Sequence, residues 1–181
     1  MSDESQLRSL ILAPYIVKAT ALIGIARYVG GNQFRHAFAT LGILLDYKYF
    51  SNPVLLKASL VHDLFEDIPL TDKSILLNLD SDGKDVTDLV LELTKDENES
   101  KATYLKRILE KGSLNAKILK VADRISNLTD INRTIFSDNK ITLYLDQTEQ
   151  YVLPMARQVN QDMVLELTDL IKKRRAGLTG I

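Results

Sequence analysis

The chain contains two histidines, His36 and His62. His62 opens the run His62-Asp63-Leu64-Phe65-Glu66-Asp67, directly after an apolar stretch with Val54, Leu55, Leu56, Ala58, Leu60 and Val61. Ionisable groups beside a core are costly unless they are paired or bind a metal. A helix through this segment sets His62 and Glu66 four apart, Asp63 and Asp67 four apart, and Asp63 and Glu66 three apart, so the group converges on one helix end. The plain alternative is a solvated C-terminal end with capping residues. It leaves three carboxylates where the helix dipole disfavours negative charge. A bound cation reverses that penalty.

A second group is Lys120-Val121-Ala122-Asp123-Arg124-Ile125-Ser126-Asn127-Leu128. Ile118, Val121, Ala122, Ile125 and Leu128 form an apolar stripe, and Asp123 and Asn127 stand together at its edge. Arg124 reads as a surface cation paired with an acid. Alone, this segment reads as an amphipathic helix.

Taken with His36, the two groups resemble the HD superfamily of metal-dependent phosphohydrolases. Within it they resemble the alarmone hydrolases of the RelA/SpoT type, especially their small stand-alone members. The matching pieces are His36, then His62-Asp63 with Glu66-Asp67, then Leu93-Thr94-Lys95, then Lys120 to Leu128, all in the family's order across residues 20–133. The resemblance implies that His36, His62, Asp63 and Asp123 bind one divalent metal. It implies that Glu66 and Asp67 orient and deprotonate the attacking water, and that Asn127 touches the ribose of the substrate. It also implies that Arg27, nine residues before His36, stacks on a guanine base, a role that suits a planar cation. The bland reading of Arg27 is an exposed helix-end cation. The chain departs from the family at Tyr28, where a second basic residue is usual. It departs again at Gln33-Phe34-Arg35-His36-Ala37, where Tyr-x-x-His-Pro is usual, and at Asp130, where many relatives carry threonine. These changes spare the implied ligands and bear on which nucleotide is bound.

Two imidazoles and two carboxylates make a mixed nitrogen–oxygen set, suited to Mn²⁺, Fe²⁺ or Mg²⁺ more than to a closed structural zinc site. The resemblance favours Mn²⁺. Such a metal makes a water more acidic and neutralises phosphoryl charge, and Glu66 or Asp67 accepts the proton. The expected reaction is removal of the 3′-pyrophosphate of ppGpp or pppGpp, giving GDP or GTP and pyrophosphate. The alternative is another HD phosphohydrolase, acting on a nucleoside monophosphate or on the 2′-phosphate of NADPH. A third reading, a non-catalytic helical binding module with a relic site, sits poorly with a full ligand set and both acids. Lys95, Lys101 and Arg107 are candidate cations for the pyrophosphate, although solvated surface lysines are the commoner explanation.

The elements that must position these residues are helices. Apolar residues recur at spacings of three and four, and no alternating strand pattern persists. The pattern predicts helices over 5–29, 33–50, 53–66, 72–79, 84–94, 99–111, 114–132, 138–158 and 160–175. Pro14 kinks or splits the first of them, and Gly30 and Gly31 end it. The expected architecture is all-α: a single HD-type orthogonal helical bundle over 1–181, with its motifs in 20–133 and further helices over 138–175. A 45% hydrophobic composition supports one core at this length. With 23 basic and 24 acidic residues the net charge is -1, which argues against a nucleic-acid partner. The run Lys172-Lys173-Arg174-Arg175 reads as cations at a helix C-terminus. The absence of cysteine excludes disulfides and thiolate metal sites. The polar start MSDESQLRSL lacks a signal-peptide layout, and no apolar run reaches the ~18 residues of a span. A cytoplasmic protein with a small nucleotide as its partner, and no membrane partner, is the expectation.

Overall fold

The computed structural model describes residues 2–131 and 133–179, which fall into two compact units, Met1–Lys95 and Asp96–Ile181. Both are helical. Among the described residues there is no strand, only an isolated bridge between Ala26 and Asn32. No single helix among them is long and apolar enough to cross a membrane.

The first unit holds α1 (Asp3–Ser9), α2 (Ala13–Ala19), α3 (Gln33–Asp46), α4 (Pro53–Val61), α5 (Leu64–Asp67), α6 (Ser74–Leu77) and α7 (Gly83–Leu93). Helix α4 is its centre. Every residue from Leu55 to Val61 is buried, and α4 packs on α2, α3 and α7. Asparagine starts both helices that matter for the site. The Asn32 side chain accepts from the Arg35 N–H and the Asn52 side chain from the Leu55 N–H, with Pro53 in the first turn of α4. Lys57 lies on the buried helix because its charge is compensated. Its Nζ is 2.7 Å from Asp80 and 2.6 Å from Asp82, and the Tyr15 hydroxyl donates to Asp80 at 2.8 Å.

Three helix expectations change here. The helix over 5–29 is split into α1, α2 and a 3₁₀ turn, Thr20–Gly24. Pro14 sits in the first turn of α2, where a missing N–H breaks no bond, so the chain restarts there. Residues 25–29 are not helical: Ile25 is extended, and Gly30 (φ 92°) and Gly31 (φ 72°) turn the chain back so that Ala26 meets Asn32. The second helix ends at Asp46, because Lys48 takes the left-handed conformation, with φ 61°. The third stops at Val61: Asp63, at φ -93° and ψ -1°, sits at the edge of the helical region and interrupts the ladder before α5 begins.

The second unit holds α8 (Lys101–Lys111), α9 (Leu114–Asp130), α10 (Asp138–Gln147), α11 (Leu153–Val159) and α12 (Gln161–Thr179). Ser100, Ser113 and Ser137 cap α8, α9 and α10 by accepting backbone N–H bonds. Helix α9 is the centre and packs on α8, α11 and α12. The helix expected over 138–158 contains a π turn at Thr148–Val152, just before Pro154, whose ring cannot join a regular α ladder. Arg124 is not a surface cation. It is 1% exposed, its guanidinium carbon lies 3.9 Å from the centre of the Tyr144 ring, and it donates to Thr148 Oγ1 at 2.8 Å and to the Tyr144 carbonyl. The basic run on α12 serves other helices. Arg174 donates to the carbonyls of Leu128 and Thr129 at the end of α9, and Arg175 pairs with Asp146 and Glu149.

Candidate metal centre

Within the first unit, His36 comes from the first turn of α3, and His62 and Asp63 from the break between α4 and α5. Both imidazoles are buried. The His62 Nδ1 lies 2.8 Å from the Ser59 carbonyl oxygen. A carbonyl can only accept, so Nδ1 carries the hydrogen and Nε2 carries the lone pair. That Nε2 is 3.3 Å from Asp63 Oδ2, and the His36 Nε2 is 3.7 Å from the same oxygen. The ring centres are 5.4 Å apart. Two imidazole nitrogens and a carboxylate oxygen thus converge from two helices, and the backbone carbonyl behind His62 is the kind of support that metal-binding histidines use. This His/His/Asp cluster fits a divalent metal with nitrogen and oxygen ligands.

The acid pair follows on α5. Glu66 is exposed, and its Oε1 accepts the Lys95 backbone N–H at 2.7 Å, so the Leu93-Thr94-Lys95 stretch is tied to the acid pair. Asp67 is half-buried. Burial pushes its carboxyl up to about 6, the charges of Asp63 and Glu66 push the same way, and a hydrogen bond from Gln33 and the proximity of His62 pull against them. Gln33 lies three residues before His36 on α3, so one helix contributes to both the histidine and the acid.

In the second unit, Asp123 and Asn127 are brought together as their spacing on α9 predicts. The Asn127 Nδ2 donates to Asp123 Oδ1 at 2.5 Å and to its carbonyl at 3.0 Å. Lys120 donates to Asp123 Oδ2 at 2.7 Å. Burial works against the Lys120 charge, but Asp123 outweighs it and holds the ammonium well above the usual lysine range. Lys101 sits 4.9 Å from the centre of the Tyr104 ring, while Arg107 is engaged with Glu99 at 3.0 Å.

Arg27 is not at a helix end. Its N–H donates to the Gly31 carbonyl and its carbonyl accepts from Gly30, so it is the base of a closed turn. Tyr28 is 83% exposed beside it. Sequence reasoning passed over three contributors: Ser59, Gln33 as a partner of Asp67, and Lys120 as a partner of Asp123. The spacing of three residues from Ser59 to His62 and from Lys120 to Asp123 is the signal that points to two of them.

No family model matches the chain. Over 156 residues it is 30% identical to the guanosine-3′,5′-bis(diphosphate) 3′-pyrophosphohydrolase MESH1 of Mus musculus, covering 83% of this chain and 84% of that protein. The Homo sapiens protein of the same name gives the same identity and coverage. A probable guanosine-3′,5′-bis(diphosphate) 3′-pyrophosphohydrolase of Mycoplasma pneumoniae is 31% identical over 130 residues, which span 64% of this chain and 17% of that longer protein. Among solved structures, a metazoan ortholog of SpoT, described as hydrolysing ppGpp and playing a role in starvation responses, superposes with a TM-score of 0.77. The match covers 90% of this chain and 94% of that one at 22% identity, and it shows the same fold.

Proposed function

The chain belongs to the MESH1 family of guanosine-3′,5′-bis(diphosphate) 3′-pyrophosphohydrolases, and from that premise we propose that it hydrolyses the 3′-pyrophosphate of ppGpp and pppGpp. The observation that carries this reading is the convergence of the His36 and His62 nitrogens on Asp63 Oδ2, next to the acid pair Glu66-Asp67. His36, His62, Asp63 and Asp123 would hold one divalent metal; the donor set suits Mn²⁺, Fe²⁺ or Mg²⁺, and the family resemblance favours Mn²⁺. When bound, the metal supplies a Lewis acid that neutralises phosphoryl charge and makes water more acidic.

The chain's own groups do the rest. Asp67, with its carboxyl poised at about 6, is ionised at neutral pH and accepts the proton of the attacking water. Glu66, pinned by the Lys95 N–H, orients that water. The water oxygen joins the phosphorus attached to the ribose 3′-oxygen, the bond from that phosphorus to the 3′-oxygen breaks, and the 3′-oxygen takes up a proton to become the 3′-hydroxyl. GDP or GTP and pyrophosphate are the products. Arg27 stacks on guanine, Asn127 meets the ribose, and Lys95, Lys101 and Arg107 are the candidates for the pyrophosphate charge. Residues 1–181 act as one catalytic domain, with a cytoplasmic nucleotide as the partner.

One observation favours a second reading. Tyr28, 83% exposed, stands where a second basic residue would meet a highly charged substrate, and a less charged nucleotide such as NADPH or a nucleoside monophosphate needs fewer cations. The test of the first reading is pyrophosphate release from ppGpp by the Mn²⁺-loaded protein. Release that is lost with chelator and in His62→Ala is expected. Absence of release with Mn²⁺, Mg²⁺ and Fe²⁺ alike would sink the proposal.

A further inference from the structure

Helix α9 buries a lysine that the hydrolytic chemistry does not use. Lys120 and Asp123 lie one helical turn apart, 8% and 6% exposed, with Nζ 2.7 Å from Oδ2. The ammonium also lies 5.1 Å from the centre of the Tyr104 ring, itself 1% exposed. Asn127 takes the other carboxylate oxygen, so each oxygen of Asp123 meets a donor from its own helix. A lysine on a helix normally carries its charge out to water along a flexible stem. This one is turned inward, and a buried ammonium is stable only against a fixed anion.

We propose that Lys120 is a positioning residue: a resident counter-cation that balances Asp123 and holds its carboxylate in one rotamer while no metal is bound. The inference rests on the reading of Asp123 as a metal ligand. A metal at Asp123 takes over the neutralisation, so Lys120 contributes most to the metal-free protein and less to the loaded one. A lysine that merely packed α9 against Tyr104 would contribute equally to both.

Thermal melting with and without metal separates the two roles. Lys120→Gln keeps a hydrogen-bond donor and removes the charge. It is expected to melt about 8 °C below wild type in EDTA, the scale for loss of a buried charge partner in a chain of this size. With saturating Mn²⁺ the deficit falls to about half or less, because bound metal stabilises the fold and replaces the missing cation. Lys120→Arg, which retains the charge, stays near wild type in both. A deficit of equal size in both conditions, or none in EDTA, overturns the proposal. If Lys120→Gln does not fold in EDTA, refolding with Mn²⁺ is the readout: recovery supports the proposal and failure overturns it. Wild type and Asp123→Asn are the controls. Should Mn²⁺ raise the melting point of wild type but not of Asp123→Asn, the ligand reading stands whatever Lys120 does. Should it raise both equally, Asp123 is not a ligand and the proposal falls with it.

Discussion

The His62 Nδ1 lies 2.8 Å from the carbonyl oxygen of Ser59, one turn back along the chain. That bond places the hydrogen on Nδ1 and turns the Nε2 lone pair toward Asp63. It exists because the α4 ladder ends at Val61, which frees the last carbonyls of the helix to accept from a side chain. A helix end and an imidazole tautomer are therefore one piece of local structure. The expected consequence is about one divalent metal per chain in wild type, and a large loss of metal in His62→Ala and Asp123→Ala. Elemental analysis of the three proteins checks this, and equal metal content in all of them would contradict the site.

Glu66→Gln should keep the metal and lose on the order of 10²-fold in turnover, the scale for loss of a carboxylate that handles the attacking water. A glutamine carbonyl still accepts the Lys95 N–H, so the fold is left intact. Turnover measured beside metal content distinguishes the two effects. Wild-type turnover in this variant would remove Glu66 from the chemistry and leave Asp67 alone.

Asp67 makes a prediction about stability. Its carboxyl titrates at about 6 in the fold against 3.8 as a free side chain, chiefly because of burial and then the Asp63 charge. Between those values the folded chain holds a proton that the unfolded chain has released, so stability falls as pH rises through this window, and the full penalty applies above it. Asp67→Asn carries no such penalty and still accepts from Gln33. In EDTA it should be about 1–2 kcal/mol more stable than wild type near pH 8, after allowance for partial solvent exposure, and no more stable near pH 4. Denaturant melts at the two pH values measure it. A gain of equal size at both would show that Asp67 is not the group responsible.

The candidate site was legible where charge stands against an apolar run. His62-Asp63 and Glu66-Asp67 follow the buried stretch Leu55–Val61, and Asp123 edges the stripe of α9, so their place beside apolar runs marked them as residues needing a reason. Helix identities followed from the same periodicity. The breaks were less visible. The stop at Val61 depends on the backbone of Asp63, and the 25–32 excursion on a bridge between Ala26 and Asn32, neither of which leaves a periodic trace. Arg124 looked like a surface cation because its partners, Tyr144 and Thr148, are remote in sequence and became neighbours only through packing.

Arg27 should act on substrate affinity and not on folding. It sits half-buried at the base of the 27–31 turn, held through backbone bonds that do not involve its side chain. Arg27→Ala is expected to raise KM for ppGpp several-fold, about the worth of one cation–π contact, with kcat and melting temperature little changed. Unchanged kinetics with normal melting would make it an ordinary surface arginine.

The central claim is the substrate and the bond broken. The most direct measurement gives the Mn²⁺-loaded protein equal concentrations of ppGpp, NADPH, AMP and dAMP and resolves the products by chromatography, so that pyrophosphate is distinguished from single phosphate. The account predicts GDP and pyrophosphate from ppGpp, faster than any release from the other three. Single phosphate from NADPH, with ppGpp left intact, would contradict it.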